Sequence, residues 1–167
     1  MLGILLKMID KKNILNFFFI FVIFLIDRIS KILIITSAGI SGEFYFNVSS
    51  FLSLNLIWNE GIAFGLFSFE QDAYYNILTL IIIIITIVVI WLMYTSKGLE
   101  KIGYLMILGG SSGNIFDRMY YSSVPDFIDI NFKNFHWFIF NVADIFISLG
   151  VILLIYSEIF LKDKNKI

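Results

Sequence analysis

Between Ile77 and Tyr94 the chain runs for 18 residues without a charged side chain. As an α-helix that run is roughly 27 Å long, close to the ~30 Å hydrocarbon thickness of a bilayer. Three further apolar stretches accompany it. Ile14–Ile26 continues past Asp27, Arg28 and Lys31 to Ile35; Ile102–Phe116 is uncharged but rich in glycine and serine; Phe135–Ser157 holds one acid, Asp144. A soluble core cannot absorb four such stretches, because a domain of this size buries only about two-thirds of its accessible surface. Hydrophobic residues make up 59% of the 167 and charged residues 15%, well to the apolar side of soluble domains. The sequence predicts an all-α polytopic membrane protein, one integral domain over residues 1–167, with four transmembrane helices at about 14–35, 74–94, 101–118 and 138–160.

The basic residues orient these spans. Lys7, Lys11, Lys12, Lys97, Lys101, Lys162, Lys164 and Lys166 fall on one side if the helices cross in turn, and an excess of Lys and Arg marks the cytoplasmic side. Both termini are expected there, with two outer loops at about 36–73 and 119–137. A cleaved leader is disfavoured. Asp27, Arg28 and Lys31 stand between the first apolar run and the small residues Ser37-Ala38-Gly39, where a signal peptide carries no charge. In the first outer loop Leu52–Leu56 alternates with period two, and Phe44–Val48 is short and aromatic. Turn signals lie at Asn47–Ser50 and Asn59-Glu60-Gly61. This loop is therefore expected to form a small β-sheet on the membrane surface. Its length suggests a gate that moves against the second outer loop.

Several chemistries fall away. The chain has no cysteine and one histidine, His136, so thiolate metal sites, cysteine nucleophiles and HExxH centres are excluded. A net charge of −1 gives no bulk footprint for nucleic acid. No metal or cofactor is expected. What remains is a set of polar residues inside apolar spans, which are costly there and invite a functional reading. Asp27 lies roughly 20 Å along the first span and Lys31 about 6 Å further; Asn114 and Arg118 lie about 18 and 24 Å along the third. Asn141 and Asp144 lie within roughly 10 Å of the outer end of the fourth. The pairs are spaced i,i+4, i,i+4 and i,i+3, so each points one way from its helix. Gly109, Gly110 and Gly113 allow close helix approach. One polar pocket near the outer surface is expected. Asp144 needs a partner for chemistry, and Asp117, Asp126 and Asp129 are the candidates. Val124–Asp129 is apolar around Asp126 and is expected to lie against the membrane surface, bringing Asp126 to the pocket mouth. Two carboxylates in contact share a proton, leaving one as base and one as acid.

These motifs, Asp27-Arg-Ile-Ser-Lys31, Asn59-Glu-Gly-Ile-Ala-Phe-Gly65, Gly109-Gly-Ser-Ser-Gly-Asn-Ile-Phe-Asp-Arg118, Val124-Pro-Asp-Phe127 and Phe140-Asn-Val-Ala-Asp144, occur in the order seen in bacterial type II signal peptidases. The chain resembles that lipoprotein signal peptidase family over about residues 14–160. The resemblance implies an aspartic endopeptidase of the bacterial inner membrane with its site near the outer face. Its implied substrate is a diacylglyceryl-modified prolipoprotein, cleaved just before the lipidated cysteine. It also implies a catalytic dyad of Asp126 and Asp144. Asn59, Gly61, Asn114, Arg118 and Asn141 would shape the site or bind substrate, with Asp27, Lys31 and Asp117 supporting. A small extracytoplasmic β-cradle and a short surface helix in the first outer loop are implied too, as are a monomer, contact with membrane lipid and sensitivity to globomycin-type inhibitors. Arg28 and Pro125 depart from the family pattern, in which an uncharged polar residue and a β-branched residue are usual.

Two rival readings are carried forward. A rhomboid-like serine protease would use Gly110-Ser111-Ser112-Gly113 with His136 as base. A small carrier would place Asp144 in an ion path, although Ile77–Tyr94 offers only Thr79 and Thr86 as polar groups for it.

Overall fold

Where no water reaches the backbone, long apolar segments satisfy their own N–H and C=O groups as helices. The sole proline lies outside these segments, at position 125. In the computed structural model, which describes residues 11–60, 71–132 and 135–161, four helices form. They are α1 (Lys11–Ala38), α2 (Gln71–Thr95), α3 (Gly98–Tyr121) and α4 (Val142–Phe160). The segments Asn76–Thr95 and Val142–Phe160 are long and apolar enough to cross a membrane. Helices α1 and α3 are continuous, but their apolar runs are interrupted by Asp27, Arg28 and Lys31, and by Asp117 and Arg118.

Burial is inverted relative to a water-soluble protein. Asp27, Lys31, Asp117 and Asn141 are fully buried, while Leu15, Phe17, Ile87, Trp91 and Ile152 are exposed. In water that distribution would desolvate charges and expose apolar surface together. It suits an apolar surround, where helices meet through small residues and polar contacts. Helix α3 is the hub and packs on α1, α2 and α4. Its glycines set the spacing. A Cβ on Gly103 would lie 2.9 Å from the carbonyl oxygen of Gly150, and one on Gly150 would lie 2.6 Å from that of Gly103. A Cβ on Gly110 would strike the Ala143 backbone, and one on Gly113 the Asp27 carboxylate. A separate apolar cluster of Val89, Met93, Leu105 and Leu108 joins α2 to α3.

Over one end of the helices lies one antiparallel sheet, ordered β1 (Tyr45–Ser49), β2 (Leu52–Asn59), β3 (Val124–Phe132), β4 (Phe135–Phe140). Ile34, Ala38, Leu56 and Phe127 pack together and seat the sheet on the end of α1. Sequence reasoning placed a sheet in the first outer loop alone. The second loop instead supplies β3 and β4, and β3 pairs directly with β2. The two outer loops are therefore joined through one sheet, and the stretch 61–70 of the expected gate lies outside the described residues. Residues 138–140, placed in the fourth span by hydropathy, belong to β4, and the helix begins at Val142. The described part of the first outer loop contains a single short helix, the 3-10 turn Gly39–Ser41. The segment 61–70, with Gly61, lies outside the described residues. Pro125 pairs with Trp58 of β2, beyond the β3–β4 ladder that starts at Ile128, so its missing N–H deprives β4 of no partner.

The α3–α4 contact is open to a direct check. Gly103→Val, far from the polar residues, is expected to cost about 1–3 kcal/mol through overpacking. The cost is read as a lower thermal midpoint in detergent; an unchanged midpoint would show that the two backbones do not meet there.

Candidate active site

The polar faces of α1 and α3 meet at the Lys31 ammonium, which donates to Asp27 Oδ2 at 2.9 Å, Asn114 Oδ1 at 2.9 Å and Asp117 Oδ2 at 2.6 Å. An ammonium has three donors and no acceptor, so this one is saturated. Arg28 adds a second cation, with Nη2 at 2.5 Å from Asp117 Oδ1 and 3.4 Å from Asp27 Oδ2, and its guanidinium lies 5.0 Å above the Phe116 ring. Two carboxyl groups thus face two basic side chains in this buried cluster. Asp27 Oδ1 also accepts from the Ala143 N–H at 3.0 Å, which ties the first turn of α4 to α1.

Asn114 relays this order outward. Lys31 can only donate, so it holds the Asn114 carbonyl oxygen and leaves the amide nitrogen facing the other way. That nitrogen donates to Asp144 Oδ1 at 2.8 Å. The N-terminus of α4 supplies the next constraint. Asn141 caps the helix: its side-chain oxygen accepts from the Asp144 N–H, and Asp144 Oδ2 accepts from the Asn141 N–H, both at 3.1 Å. With its oxygen engaged, the Asn141 amide nitrogen donates to Asp126 Oδ1 at 2.6 Å. Asn59, the last residue of β2, donates to Asp126 Oδ2 at 2.9 Å. Among the described residues, each oxygen of the Asp126 and Asp144 carboxylates therefore receives one N–H, and each of these donors is a neutral amide.

Asp126 is buried, and burial pushes its carboxyl up to about 6 from 3.8, helped by the Asp144 charge and opposed by the hydrogen bonds from Asn59 and Asn141. Burial disfavours the charged form, whereas hydrogen bonds to the carboxylate favour it. The folded state therefore binds this proton more tightly than the unfolded chain. The stability it contributes is full below about pH 4 and lost as pH rises through about 6.

Of the residues singled out in the sequence, Asp27, Lys31, Asn59, Asn114, Asp117, Asp126, Asn141 and Asp144 are brought into this continuous set of contacts. Arg118 joins through its Nη1, which donates to the Asn114 carbonyl at 3.2 Å. Sequence reasoning missed the Ala143 N–H and the ion pairs of Arg28. It also left Asp129 open as a partner for Asp144. Asp129 instead contacts Ser53 and His136 in the sheet. The serine-protease constellation does not form. Ser112 lies within helix α3 and donates to the Gly109 carbonyl, while the His136 ring is held by Asp129. Among the described residues no group of three or more His, Cys, Asp and Glu is placed to hold a metal ion.

Removing the hub cation should expose its role. Lys31→Met keeps the chain length but leaves buried carboxylates short of a partner, an expected loss of about 3–5 kcal/mol. Thermal unfolding of the purified protein measures it, and a loss below about 1 kcal/mol would match a surface pair instead.

Comparison with known proteins places the chain in a family. The family model for signal peptidase (SPase) II matches residues 19–160. A lipoprotein signal peptidase of Pelagibacter ubique (strain HTCC1062) is 44% identical, over 94% of this chain and 95% of that protein. One from Wigglesworthia glossinidia brevipalpis is 40% identical over 81% and 88%. Among solved structures, a bacterial membrane enzyme determined by the in meso method at 1.9 Å resolution superposes with a TM-score of 0.71 at 27% identity, covering 87% of this chain and 93% of that one. A match of this extent to the family model, with relatives similar over nearly their whole length, means that the chain belongs to the signal peptidase II family.

Proposed function

We propose that the protein is an intramembrane aspartic endopeptidase that removes the signal peptide from diacylglyceryl-modified prolipoproteins, cutting just before the lipidated cysteine. The observation that carries this reading is the pair Asp126 and Asp144, bridged by Asn141 and, among the described residues, hydrogen-bonded by neutral amides. A cation directly on either carboxylate would favour its ionised form and oppose proton sharing. Amide donors stabilise the pair yet let it hold one proton.

In this mechanism the ionised member takes a proton from water as the oxygen attacks the scissile carbonyl. The protonated member gives its proton to the carbonyl oxygen. Collapse of the tetrahedral intermediate then returns a proton to the leaving amine of the cysteine. Asn114, Asn141 and Arg118 orient the dyad and substrate, with Asp27, Lys31 and Asp117 behind them. All four helices cross the membrane, both termini are cytoplasmic, and the sheet lies on the outer face. A substrate whose signal helix and acyl chains already lie in the bilayer reaches such a site laterally.

The test is a gel-shift assay with purified enzyme and a diacylglyceryl-modified prolipoprotein. Asp126→Asn and Asp144→Asn are each expected to lower the rate by about 10²–10⁴-fold with the fold retained, while Ser112→Ala cleaves normally. Full activity in either aspartate variant overturns the dyad. The pH profile gives a second check. Activity requires the shared proton, so kcat/KM should fall on the alkaline side with an apparent pKa at or above about 6. Asn59→Ala removes a hydrogen bond that favours the charged carboxylate, and the limb should move upward; a downward shift would contradict the assignment.

A further inference from the structure

A second buried carboxylate lies in the sheet, apart from the contacts of Asp126 and Asp144. Asp129 of β3 has no solvent exposure, whereas the His136 side chain of β4 is 52% exposed. Asp129 Oδ2 receives His136 Nδ1 at 2.6 Å and the Ser53 hydroxyl at 3.1 Å, and Ser53 Oγ accepts from the Asn131 amide at 2.7 Å. The strand pairing explains how these meet. Ser53 faces Asp129 across β2–β3, Asn131 faces His136 across β3–β4, and Asp129 and Asn131 are two apart on one strand. All four side chains share one sheet face, with His136 on the diagonal from Asp129. Three strands are thus pinned at one carboxylate.

Burying a carboxylate opposes folding, and apolar residues of similar size would pack there at lower cost. Geometry is what the group supplies. The β3–β4 ladder shifts register between Ile130 and Asn131, and backbone pairing alone selects weakly among neighbouring registers. A one-residue slip moves a strand by about 3.3 Å. Asn141 follows β4 directly, and its amide must stay 2.6 Å from Asp126, three residues before Asp129 on β3.

We propose that Ser53, Asp129 and His136 form a register clip whose task is to position Asn141 against Asp126, which makes His136 and Asp129 positioning residues for the reaction. The proposal rests on the reading of Asp126 and Asp144 as the dyad. His136 contacts Asp129; Asp126 faces Asn59, Asn141 and Asp144, with Lys31 further off. The clip acts on that second set only through the strand that carries Asn141.

The test uses full-length enzyme in lipid–detergent micelles with diacylglyceryl-modified prolipoprotein, and rates are taken per folded, monodisperse enzyme. His136→Ala should lower kcat about tenfold while KM stays within about twofold. The alkaline limb of kcat/KM should rise by about half a pH unit, because a weakened Asn141 bond raises the proton affinity of Asp126. His136→Asn, whose amide nitrogen reaches the place of imidazole Nδ1, should restore both. A role confined to holding the fold together would change only the yield of folded protein. Wild-type kcat and pH limb in His136→Ala overturn the proposal, as does failure of His136→Asn to restore them. Asp126→Asn measured alongside separates the two claims. Retained cleavage there refutes the dyad itself, whereas its loss beside an unaffected His136→Ala refutes the clip alone.

Discussion

One ammonium group organises the interior. Lys31 Nζ reaches Asp27 on its own helix and both Asn114 and Asp117 on α3, and nothing in an apolar surround could replace water for these groups if it were withdrawn. Its three bonds fix the rotation of α1 against α3. They also fix which way the Asn114 amide points, and through that amide the position of Asp144. Asp27 extends the same control to the backbone of Ala143 at the start of α4. Gly113 makes this possible, since a side chain there would strike the Asp27 carboxylate.

Charge and neutrality are distributed in layers. The cations sit with Asp27 and Asp117, and among the described residues the carboxylates of Asp126 and Asp144 meet amides. An interior that placed Lys31 directly on Asp126 and Asp144 would be better paired electrostatically and worse for proton sharing in the proposed mechanism. The asparagines separate the two tasks. Asn141 carries most of this burden, because one side chain caps α4, a contribution of about 1 kcal/mol in ordinary helices, and also bonds Asp126 from β3. Helix start and carboxylate pair are therefore one feature.

Much of this was legible in the sequence. The helices followed from uncharged apolar runs, and the shared polar pocket from i,i+4 and i,i+3 spacing of Asp27 with Lys31, Asn114 with Arg118, and Asn141 with Asp144. The sheet was only half legible. Val124–Phe132 contains a proline and is apolar on both sides of Asp126, so it shows no clean alternation, and its strand character comes from pairing with β2. The start of α4 was misplaced because Phe138–Phe140 is as apolar as the helix that follows; Asn141-x-x-Asp144, with N-cap and N3 acceptor spacing, was the signal that marked it. Arg28 was noted as a departure, but no sequence rule placed it on Asp117. The contacts of Asp129 depend on strand register, which nothing local specifies.

The chain of control from Lys31 through Asn114 to Asp144 is best tested by a double-mutant cycle on cleavage, with Lys31→Met, Asn114→Ala and the double variant compared per folded enzyme. If Lys31 acts on the dyad through Asn114, the double variant should cleave no more slowly than the worse single variant, a coupling that neighbours in one network show. Losses that multiply would mean that the two residues act independently, and would contradict the account.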